Sequence, residues 1–310
     1  MNEYEIINHL RIKHMNLFLV QLTYRTPHYH NELELGLVLN GALQIKKSGT
    51  IHQLKENDIF VLNTHEIHEL SSETGALVLS IQLSYKLFSS YYPSIKACHF
   101  LTLSLGDCMS SNIAYSLQRD MLELAQHYLK QKPYYEFQCI SLVNQLLYSL
   151  LTHAPHKTLS YEEQEMLSVR MNRIHRITGY IDDNFNRKLL LSEIAERENL
   201  TLTYLSHFIK DMLGMSFQDY LSYIRFHHAI QLIESTGHRI LDISMESGFS
   251  DVRYLNQMFA KHYGCSPKEY RKNHTKKSEA MNTSIASLQR ILLPEESLLQ
   301  LSVYRQRVRI

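Results

Sequence analysis

An internal repeat constrains the fold of this chain more than any other sequence feature. The pattern Tyr-Leu, Gly-x-Ser and Tyr within residues 204–220 returns fifty residues later, within residues 254–270. Helical periodicity alone does not require the shared glycines and serines. In each copy a short turn joins two amphipathic segments, as in a helix-turn-helix unit whose second helix enters the major groove of DNA. The sequence therefore predicts two such units in the second half of the chain.

The second helix of each copy is predicted to present a polar outer face. Helical spacing predicts an inward side made of Leu202, Leu205, Ile209, Met212, Leu255, Phe259 and Tyr263. The outward residues, which are the predicted DNA readers, are then Thr203, Ser206, His207, Lys210, Val252, Arg253, Asn256 and Gln257. Arginine, asparagine and glutamine pair with base edges, and valine packs on a thymine methyl group. The alternative is an ordinary solvated helix face, which has a similar composition.

A long helix over residues 216–236 is predicted to join the two units. If it is rigid, it holds both recognition helices on one DNA face, in adjacent major grooves about 34 Å apart. Arg225 lies in its middle and is predicted to be either a phosphate clamp in the DNA interface or a buried ion-pair partner. The charge balance favours nucleic acid: residues 170–277 carry 16 Lys+Arg against 12 Asp+Glu, while residues 1–169 carry 12 against 16.

The first half is predicted to be a β-barrel or sandwich followed by two helices. Short apolar or alternating runs separated by turn sequences fill residues 15–105, and helical spacing replaces them over residues 111–129 and 134–152. The two helices carry apolar rows formed by Leu117, Met121, Leu124, Leu142, Leu146 and Leu150. These rows indicate packing against the sheet, a dimer seam, or both on different faces.

The stretch PHYHNELE, residues 27–34, places four polar side chains on one face of a strand, because alternate residues of a strand share a face. They are His28, His30, Glu32 and Glu34. Three interpretations stay open: a metal site, the polar lining of an effector pocket to which Tyr24 adds a ring, or a structural polar network. The sequence contains no independent acid–base pair or phosphate loop, so we predict no catalytic residues and no enzyme.

One set of residues in the second half is highly specific, namely Arg225, Ala229, Ile243-Ser244, Gly248-Phe249-Ser250-Asp251, Tyr254-Leu255, Phe259, Gly264-Cys265-Ser266-Pro267 and Tyr270-Arg271. With it, residues 170–273 resemble the AraC/XylS family of bacterial transcription regulators. The resemblance implies a seven-helix DNA-binding domain and a ligand-sensing front domain that dimerises. The partners it implies are double-stranded promoter DNA, RNA polymerase, a second copy of the chain and a small-molecule effector, with a sugar favoured.

The front half is similar to the cupin barrel. Its first motif reads His28-x-His30-x3-Glu34-x6-Gly41, and His68 stands where the second motif has its histidine. The resemblance implies His28, His30, Glu34 and His68 as ligands of a divalent transition metal such as zinc, iron, manganese or nickel. The favoured alternative is an effector pocket without metal. Its expected lining is Tyr24, His28, His30, Glu32, Glu34 and His68.

The predicted fold class is α+β multidomain: a cupin-like β-barrel with two helices, then an all-α domain with two helix-turn-helix units joined by a long helix. The predicted segments are an effector-binding and dimerisation domain at 1–152, a linker at 153–169, the DNA-binding domain at 170–273 and an extension at 274–310. For the extension three roles stay open: packing back on the protein, contact with a partner, or contact of its YRQRVRI ending with DNA phosphates.

Bulk features place the protein in the cytoplasm without a membrane segment. The four cysteines form no C-x-x-C pair, and no apolar run reaches membrane length. The leading functional prediction is a ligand-responsive, sequence-specific transcription regulator, more specifically an activator of carbohydrate-utilisation or other catabolic genes. The rival is a cupin metalloenzyme, or metal-dependent sensor, that carries an accessory helical domain.

Overall fold

The computed structural model describes residues 3–4, 11–47, 49–274 and 287–308. The chain divides into two units, which we call the sheet unit and the helical unit. The sheet unit contains residues 3–168 and the chain from residue 288 onward, whereas the helical unit contains residues 169–287. The boundary at residue 168 falls inside a helix that begins at Tyr161.

Strands dominate the sheet unit. In chain order they are β1 (Glu3–Tyr4), β2 (Met15–Tyr29), β3 (Leu33–Asn40), β4 (Ala42–Lys47), β5 (Thr50–Lys55), β6 (Ile59–Leu62), β7 (His68–Leu83), β8 (Cys98–Phe100), β9 (His156–Thr158) and β10 (Ser287–Ile291). Strands β8 and β9 form a separate pair, and the others form one eight-stranded sheet. Short 3-10 helices cover Tyr85–Leu87, Pro93–Ala97 and Leu105–Asp107.

Strand β7 organises the eight-stranded sheet. It pairs antiparallel with β2 from Met15 opposite Leu83 to His28 opposite His68, with two register irregularities along the way. Its first residues also pair with β4, and its last residues pair with β3. The sheet can be this long because both of its faces carry apolar residues, and each face packs into a hydrophobic core.

The two faces of the sheet pack into different apolar clusters. Leu19 of β2 and Leu79 and Ile81 of β7 belong to the cluster that includes the two long helices of the unit. The opposite face carries Val20 and Val78, together with Phe60. Because odd and even residues of a strand point to opposite sides, the helices cover one face while the other face lines the interior of the sheet.

Two antiparallel helices cover the outer face, α1 (Ser111–Lys130) and α2 (Tyr135–His153). Of the apolar rows predicted on them, Leu117, Met121, Leu124, Leu146 and Leu150 are buried in the same cluster as the sheet. Leu142 is half-buried against that cluster. The rows are therefore used for packing within the unit.

The C-terminal extension packs back on the sheet unit. Strand β10 pairs with β2, and the final helix α10 (Pro294–Val308) follows it, with Leu301 and Tyr304 in the core that contains α1. Arg305 donates to the Gln126 side chain at 3.1 Å, and Arg307 donates to the Leu39 carbonyl at 2.7 Å. Two arginines of the YRQRVRI ending thus have partners within the unit, and the third lies outside the described residues.

The helical unit consists of seven helices in the part of the chain that the structure describes, as the AraC/XylS resemblance implies. They are α3 (Tyr161–Asn184), α4 (Leu191–Arg197), α5 (Leu202–Leu213), α6 (Phe217–Ser235), α7 (Ile240–Glu246), α8 (Val252–Tyr263) and α9 (Pro267–His274). Among the described residues, side chains cap the N-termini of five of them: Ser160 caps α3, Thr201 caps α5, Ser216 caps α6, Asp251 caps α8 and Ser266 caps α9. Helices α4–α5 and α7–α8 are the two predicted helix-turn-helix units.

Among the described residues, no helix is long and apolar enough to cross a membrane.

The packing of the extension predicts a sharp contrast between two leucines of α10. Leu301→Ala removes a side chain that is 3% exposed, so we expect the free energy of unfolding to fall by about 2–5 kcal/mol. Leu299→Ala is the matched control because Leu299 is 63% exposed, and it should change stability by less than about 0.5 kcal/mol. Urea unfolding followed by circular dichroism measures both. Equal losses would show that α10 is not part of the core.

Candidate effector site and nucleic-acid interface

Three buried histidines converge at one end of the sheet interior. His28 lies near the end of β2, His30 follows that strand directly, and His68 begins β7 opposite His28. Their exposed fractions are 3%, 1% and 1%. One ring nitrogen from each histidine lies within 4.8 Å of those of the other two. The pairing of β2 with β7 therefore assembles residues that are forty positions apart in sequence.

Backbone carbonyls fix the orientation of all three imidazoles. The Nδ1 atoms of His28, His30 and His68 lie 2.8, 2.9 and 2.8 Å from the carbonyl oxygens of Thr26, Glu32 and Glu66. A carbonyl oxygen only accepts, so each Nδ1 carries the proton and donates it. Each Nε2 is then the atom with which the ring can bind something else. Histidine ligands of metal ions are held by the same kind of bond.

Glu34 of β3 adds a buried carboxylate to the cluster. Its Oε2 lies 2.8 Å from His30 Nε2, and Ser80 and Gln82 of β7 donate to its two oxygens at 2.8 and 3.1 Å. Burial opposes ionisation, but the hydrogen bond from His30 and the charges of His30 and His68 outweigh it and lower the pKa of Glu34 to about 2. The carboxylate is therefore ionised, and its Oε2 lies against His30 Nε2.

Burial disfavours the charged form of the other two histidines. Burial lowers the pKa of His28 well below its ordinary value, and burial together with the charge of His30 lowers the pKa of His68 to about 4. The Nε2 of His68 is buried and has no hydrogen-bond partner among the described residues. A buried polar atom without a partner is costly, and a lone pair is satisfied by a donor or a cation. The donor set of the cluster therefore fits a metal ion.

Of the six predicted effector residues, the structure does not place Tyr24 with the others. Burial and the neighbouring Glu69 raise the pKa of Tyr24, and its hydroxyl bonds to that carboxylate. Glu69 follows His68 directly on β7, so its side chain leaves the opposite face of the strand. A register irregularity in β2 between Arg25 and His28 separates Tyr24 from the histidine positions. Glu32 is buried at 7% exposure and contributes its backbone carbonyl to His30.

Two polar residues that donate hydrogen bonds to Glu34, Ser80 and Gln82, were not predicted from the sequence. They lie in LVLSIQL with the same parity as Val78, which points into the sheet interior. Polar residues on an otherwise apolar inward face are a usable signal for a buried site, because such groups need buried partners. Asn16 of β2 extends the network by donating to the Gln82 side chain at 3.1 Å.

The space between the imidazoles is small. The ring centroids of His28 and His68 are 4.2 Å apart, and those of His30 and His68 are 5.3 Å apart. Farther into the interior, the Phe60 ring lies over Gly36, where an added Cβ would come within 1.9 Å of it. The space enclosed by the rings therefore suits a single ion better than a sugar.

The predicted readers of the first unit lie on the outer face of α5. Thr203, Ser206, His207 and Lys210 are all exposed, while Leu205, Ile209 and Met212 are buried. The prediction that Leu202 is buried was wrong, since its side chain is 52% exposed. It occupies the first helical position, directly after the cap Thr201, and Phe208 belongs to the buried side instead.

The second recognition helix, α8, presents the more informative set. Arg253, Asn256 and Gln257 are exposed, Val252 is half-exposed, and Leu255 is buried beneath them. The cap residue Asp251 also holds the Arg253 guanidinium, with Nη2 2.8 Å from Asp251 Oδ2. The Arg253 side chain remains 82% exposed. The ion pair with Asp251 thus limits the conformations of the Arg253 side chain, which nevertheless points into solvent.

The hydrogen-bond partners of Arg225 differ from those that the sequence predicts. It is half-buried, and it donates from Nε to the Phe185 carbonyl at 2.8 Å and from Nη2 to the Arg187 carbonyl at 2.7 Å. The expected ion-pair partner is therefore replaced by two backbone oxygens. Those oxygens follow the end of α3, where the helix no longer supplies donors for its carbonyls.

Both halves of the chain match models of known families. Residues 20–147 match the AraC-like ligand binding domain, and residues 194–273 match a helix-turn-helix domain. An uncharacterized HTH-type transcriptional regulator of Staphylococcus aureus (strain MRSA252) is 24% identical over 241 residues, which are 78% of this chain and 31% of that protein. The chain therefore spans about a third of the length of that relative.

Two further similarities concern parts of the chain. The lactose operon transcription activator of Staphylococcus xylosus is 32% identical over 134 residues, 42% of this chain and 46% of that protein. The solved C-terminal domain of the two-component response regulator yesN from Fusobacterium nucleatum is 34% identical, with a TM-score of 0.31, and the match covers 32% of this chain and 98% of that one.

The chain thus combines a segment that matches an AraC-like ligand-binding domain, within the sheet unit, with a segment that matches a helix-turn-helix domain, within the helical unit. Over these two segments the chain matches the AraC/XylS family, as its sequence resemblance implies.

Proposed function

We propose that the chain is an effector-responsive activator that binds promoter DNA through both helix-turn-helix units and controls carbohydrate-utilisation or other catabolic genes. The observation that carries the proposal is the pair of exposed recognition faces on α5 and α8 within one helical unit. The similarity to the lactose operon transcription activator of Staphylococcus xylosus supports the choice of carbohydrate genes. The regulator acts in the cytoplasm, where promoter DNA and RNA polymerase are found.

The chemistry of α8 supports reading of bases. The Arg253 guanidinium matches the two acceptors of guanine, while the Asn256 and Gln257 amides match the donor and acceptor of adenine. Val252 can pack on a thymine methyl group. On α5, Lys210 offers a charge for phosphate, and Thr203, Ser206 and His207 offer single hydrogen bonds. We therefore assign sequence preference mainly to α8 and expect binding to weaken steeply with salt.

For the effector site we propose a divalent transition metal held by His28, His30, Glu34 and His68. Support comes from the buried Nε2 of His68, which has no hydrogen-bond partner among the described residues, and from the three Nδ1 bonds that orient the imidazoles. Three imidazoles and one carboxylate suit zinc, iron, manganese or nickel. The ion would supply positive charge that links the ends of β2, β3 and β7, so its binding favours the conformation in which those ends meet.

A sugar effector is the second candidate, favoured by the carbohydrate link of the Staphylococcus xylosus relative. A sugar would have to separate the imidazoles, whose centroids are 4.2 and 5.3 Å apart. A thermal-shift screen of sugars and divalent ions on the wild type and on His30→Ala distinguishes the two candidates. The screen needs no knowledge of the regulated genes. The metalloenzyme alternative would require turnover of a substrate by the metal-loaded protein.

We further propose a homodimer that forms through α2. Phe137 and Tyr148 are 76% and 68% exposed, and they lie eleven residues apart, or about three helical turns, so they share one face. The apolar rows considered as a seam are engaged in the core of the unit, whereas these two aromatic side chains are available. Exposed aromatic residues are enriched at protein interfaces.

The DNA-reading assignment predicts a loss of sequence preference. Arg253→Ala combined with Asn256→Ala should reduce the preference for a selected operator over scrambled DNA by at least about a hundredfold, because two base-specific side chains are removed. Gel-shift titration of both DNAs measures the ratio. The control is Arg239→Ala with Gln231→Ala, two exposed positions of the same unit outside the recognition helices. An unchanged ratio in the Arg253/Asn256 variant would refute the assignment.

The metal assignment predicts one cobalt(II) ion per chain with strong visible absorption, since cobalt reports its ligands spectroscopically. His68→Gln should abolish the spectrum or weaken affinity at least about tenfold, as loss of a ligand or its support does. His153→Gln, at an exposed position of α2, should bind as the wild type does. Equal binding by both variants, or no binding by the wild type, would exclude a metal at this cluster.

The dimer assignment predicts a change of mass in solution. The wild type should scatter light as twice the chain mass of 36.4 kDa, and Phe137→Glu with Tyr148→Glu should scatter as one chain, because charges would be buried in the seam. Gln138→Glu with His153→Glu, also exposed on α2 but on another side, should remain dimeric. A dimer that survives the first pair of substitutions would place the interface elsewhere.

A further inference from the structure

The backbone that leads into the first helix-turn-helix unit meets the turn of the second unit at a small cluster that we call the joint, formed by Phe185, Arg225, His228, Ser247 and Gly248. Phe185 lies in the connection between α3 and α4, which leads into the first unit. Arg225 and His228 lie on α6, the helix between the units, and Ser247 and Gly248 form the turn of the second unit. The joint thus contains the connection that leads into the first unit, the turn of the second unit and the helix between the two units.

Arg225 links α6 to the entrance of the first unit. Its two bonds, to the carbonyls of Phe185 and Arg187, use two arms of one planar guanidinium. The Arg187 side chain in turn donates to both oxygens of Glu193 on α4 and to the Tyr180 hydroxyl on α3. The backbone segment that accepts the hydrogen bonds of Arg225 is therefore fixed to the first unit by a second arginine, Arg187.

Gly248 brings the turn of the second unit against the same backbone. Its φ is +80°, and an added Cβ would lie 2.5 Å from the Phe185 carbonyl oxygen and 2.8 Å from Asn186 Cα. Both atoms belong to the main chain and cannot move aside cheaply. The same Cβ would lie 3.0 Å from Arg225 Nε. Glycine is therefore needed here for close approach as well as for backbone conformation.

His228 completes the contact between the units. Its Nδ1 lies 3.1 Å from the Ser247 hydroxyl, and its ring centroid is 5.0 Å from that of Phe185. The same α6 side chain thus contacts the connection before the first unit and the turn of the second.

We propose that Arg225 is a positioning residue that fixes the distance and angle between the two recognition helices, and thereby the spacing between half-sites that the protein accepts. The inference rests on the proposed function, in which both units contact DNA. One inserted base pair moves a half-site by about 3.4 Å and rotates it by about 34°, so a rigid joint rejects it. Lysine cannot replace arginine here, because one ammonium group does not span two carbonyls as a planar fork does.

The test compares spacing preference in the full-length chain. The wild type selects its operator from random DNA, and its affinity is then measured for that operator and for versions with one base pair inserted or deleted between the half-sites. Wild type should lose at least about tenfold in affinity on insertion, whereas Arg225→Lys and Arg225→Gln should lose less than about threefold, since a loosened joint adapts. Arg239→Lys, an exposed arginine on the same unit, should keep the wild-type preference.

A phosphate clamp would behave differently from a joint. Arg225→Gln would then lower the slope of log affinity against log salt by about one, Arg225→Lys would keep it, and spacing preference would be unchanged in both. That result would overturn the proposal. Failure of the wild type to select any DNA would instead refute the proposed function, so the two failures are distinguishable.

A milder variant covers the case in which Arg225 substitutions prevent folding. Phe185→Leu keeps the carbonyl that Arg225 binds but removes the ring beside His228, and Phe185 is only half-buried. A folded Phe185→Leu chain should show a spacing preference at least about twofold weaker than the wild type, because the contact between units is reduced. The full wild-type preference in this variant, with a wild-type melting temperature, would contradict the joint.

Discussion

The antiparallel pairing of β2 with β7 is the constraint on which the sheet unit depends. It sets His28 opposite His68 at one end and Met15 opposite Leu83 at the other. A shift by one residue would turn the buried histidines and the apolar residues to the wrong faces, because the side-chain period of a strand is two. The same register gives α1 and α2 an apolar face to cover. The site and the core are therefore specified by one set of hydrogen bonds.

That register also explains the return of the chain to the sheet unit. Strand β10 pairs with β2, and the Leu292 amide donates to the Leu19 carbonyl at 2.9 Å. An unpaired strand edge is a liability that proteins cover, and here residues from the far end of the chain cover it. The helical unit is consequently an insertion between two parts of the sheet unit.

Sequence predicts the helical unit better than it predicts the cluster of the sheet unit. Local signals determine α5 and α8: their period is helical, and Gly214 and Gly264 end them in the left-handed conformation at φ +66° and +64°. His28, His30 and Glu34 also follow from strand parity, which is local. The position of Tyr24 does not follow from strand parity, because an irregularity in β2 changes the face on which Tyr24 lies. Irregularities of this kind depend on the partner strand and leave little trace in the sequence of one strand.

Arg225 and α10 show the same limit for contacts over long sequence distances. An arginine in a helix gives no indication that its partners are carbonyl oxygens some forty residues away, since every residue offers such an oxygen. The apolar residues of α10 predict a packed helix but not the surface that receives it. By contrast, the histidine cluster can be recognised in the structure from a buried ring nitrogen that has no hydrogen-bond partner among the described residues. Carbonyls hold three Nδ1 atoms and Glu34 faces one Nε2, while the buried Nε2 of His68 has no partner among the described residues. Leaving such an atom unsatisfied costs about 1–3 kcal/mol, and a bound cation removes that cost.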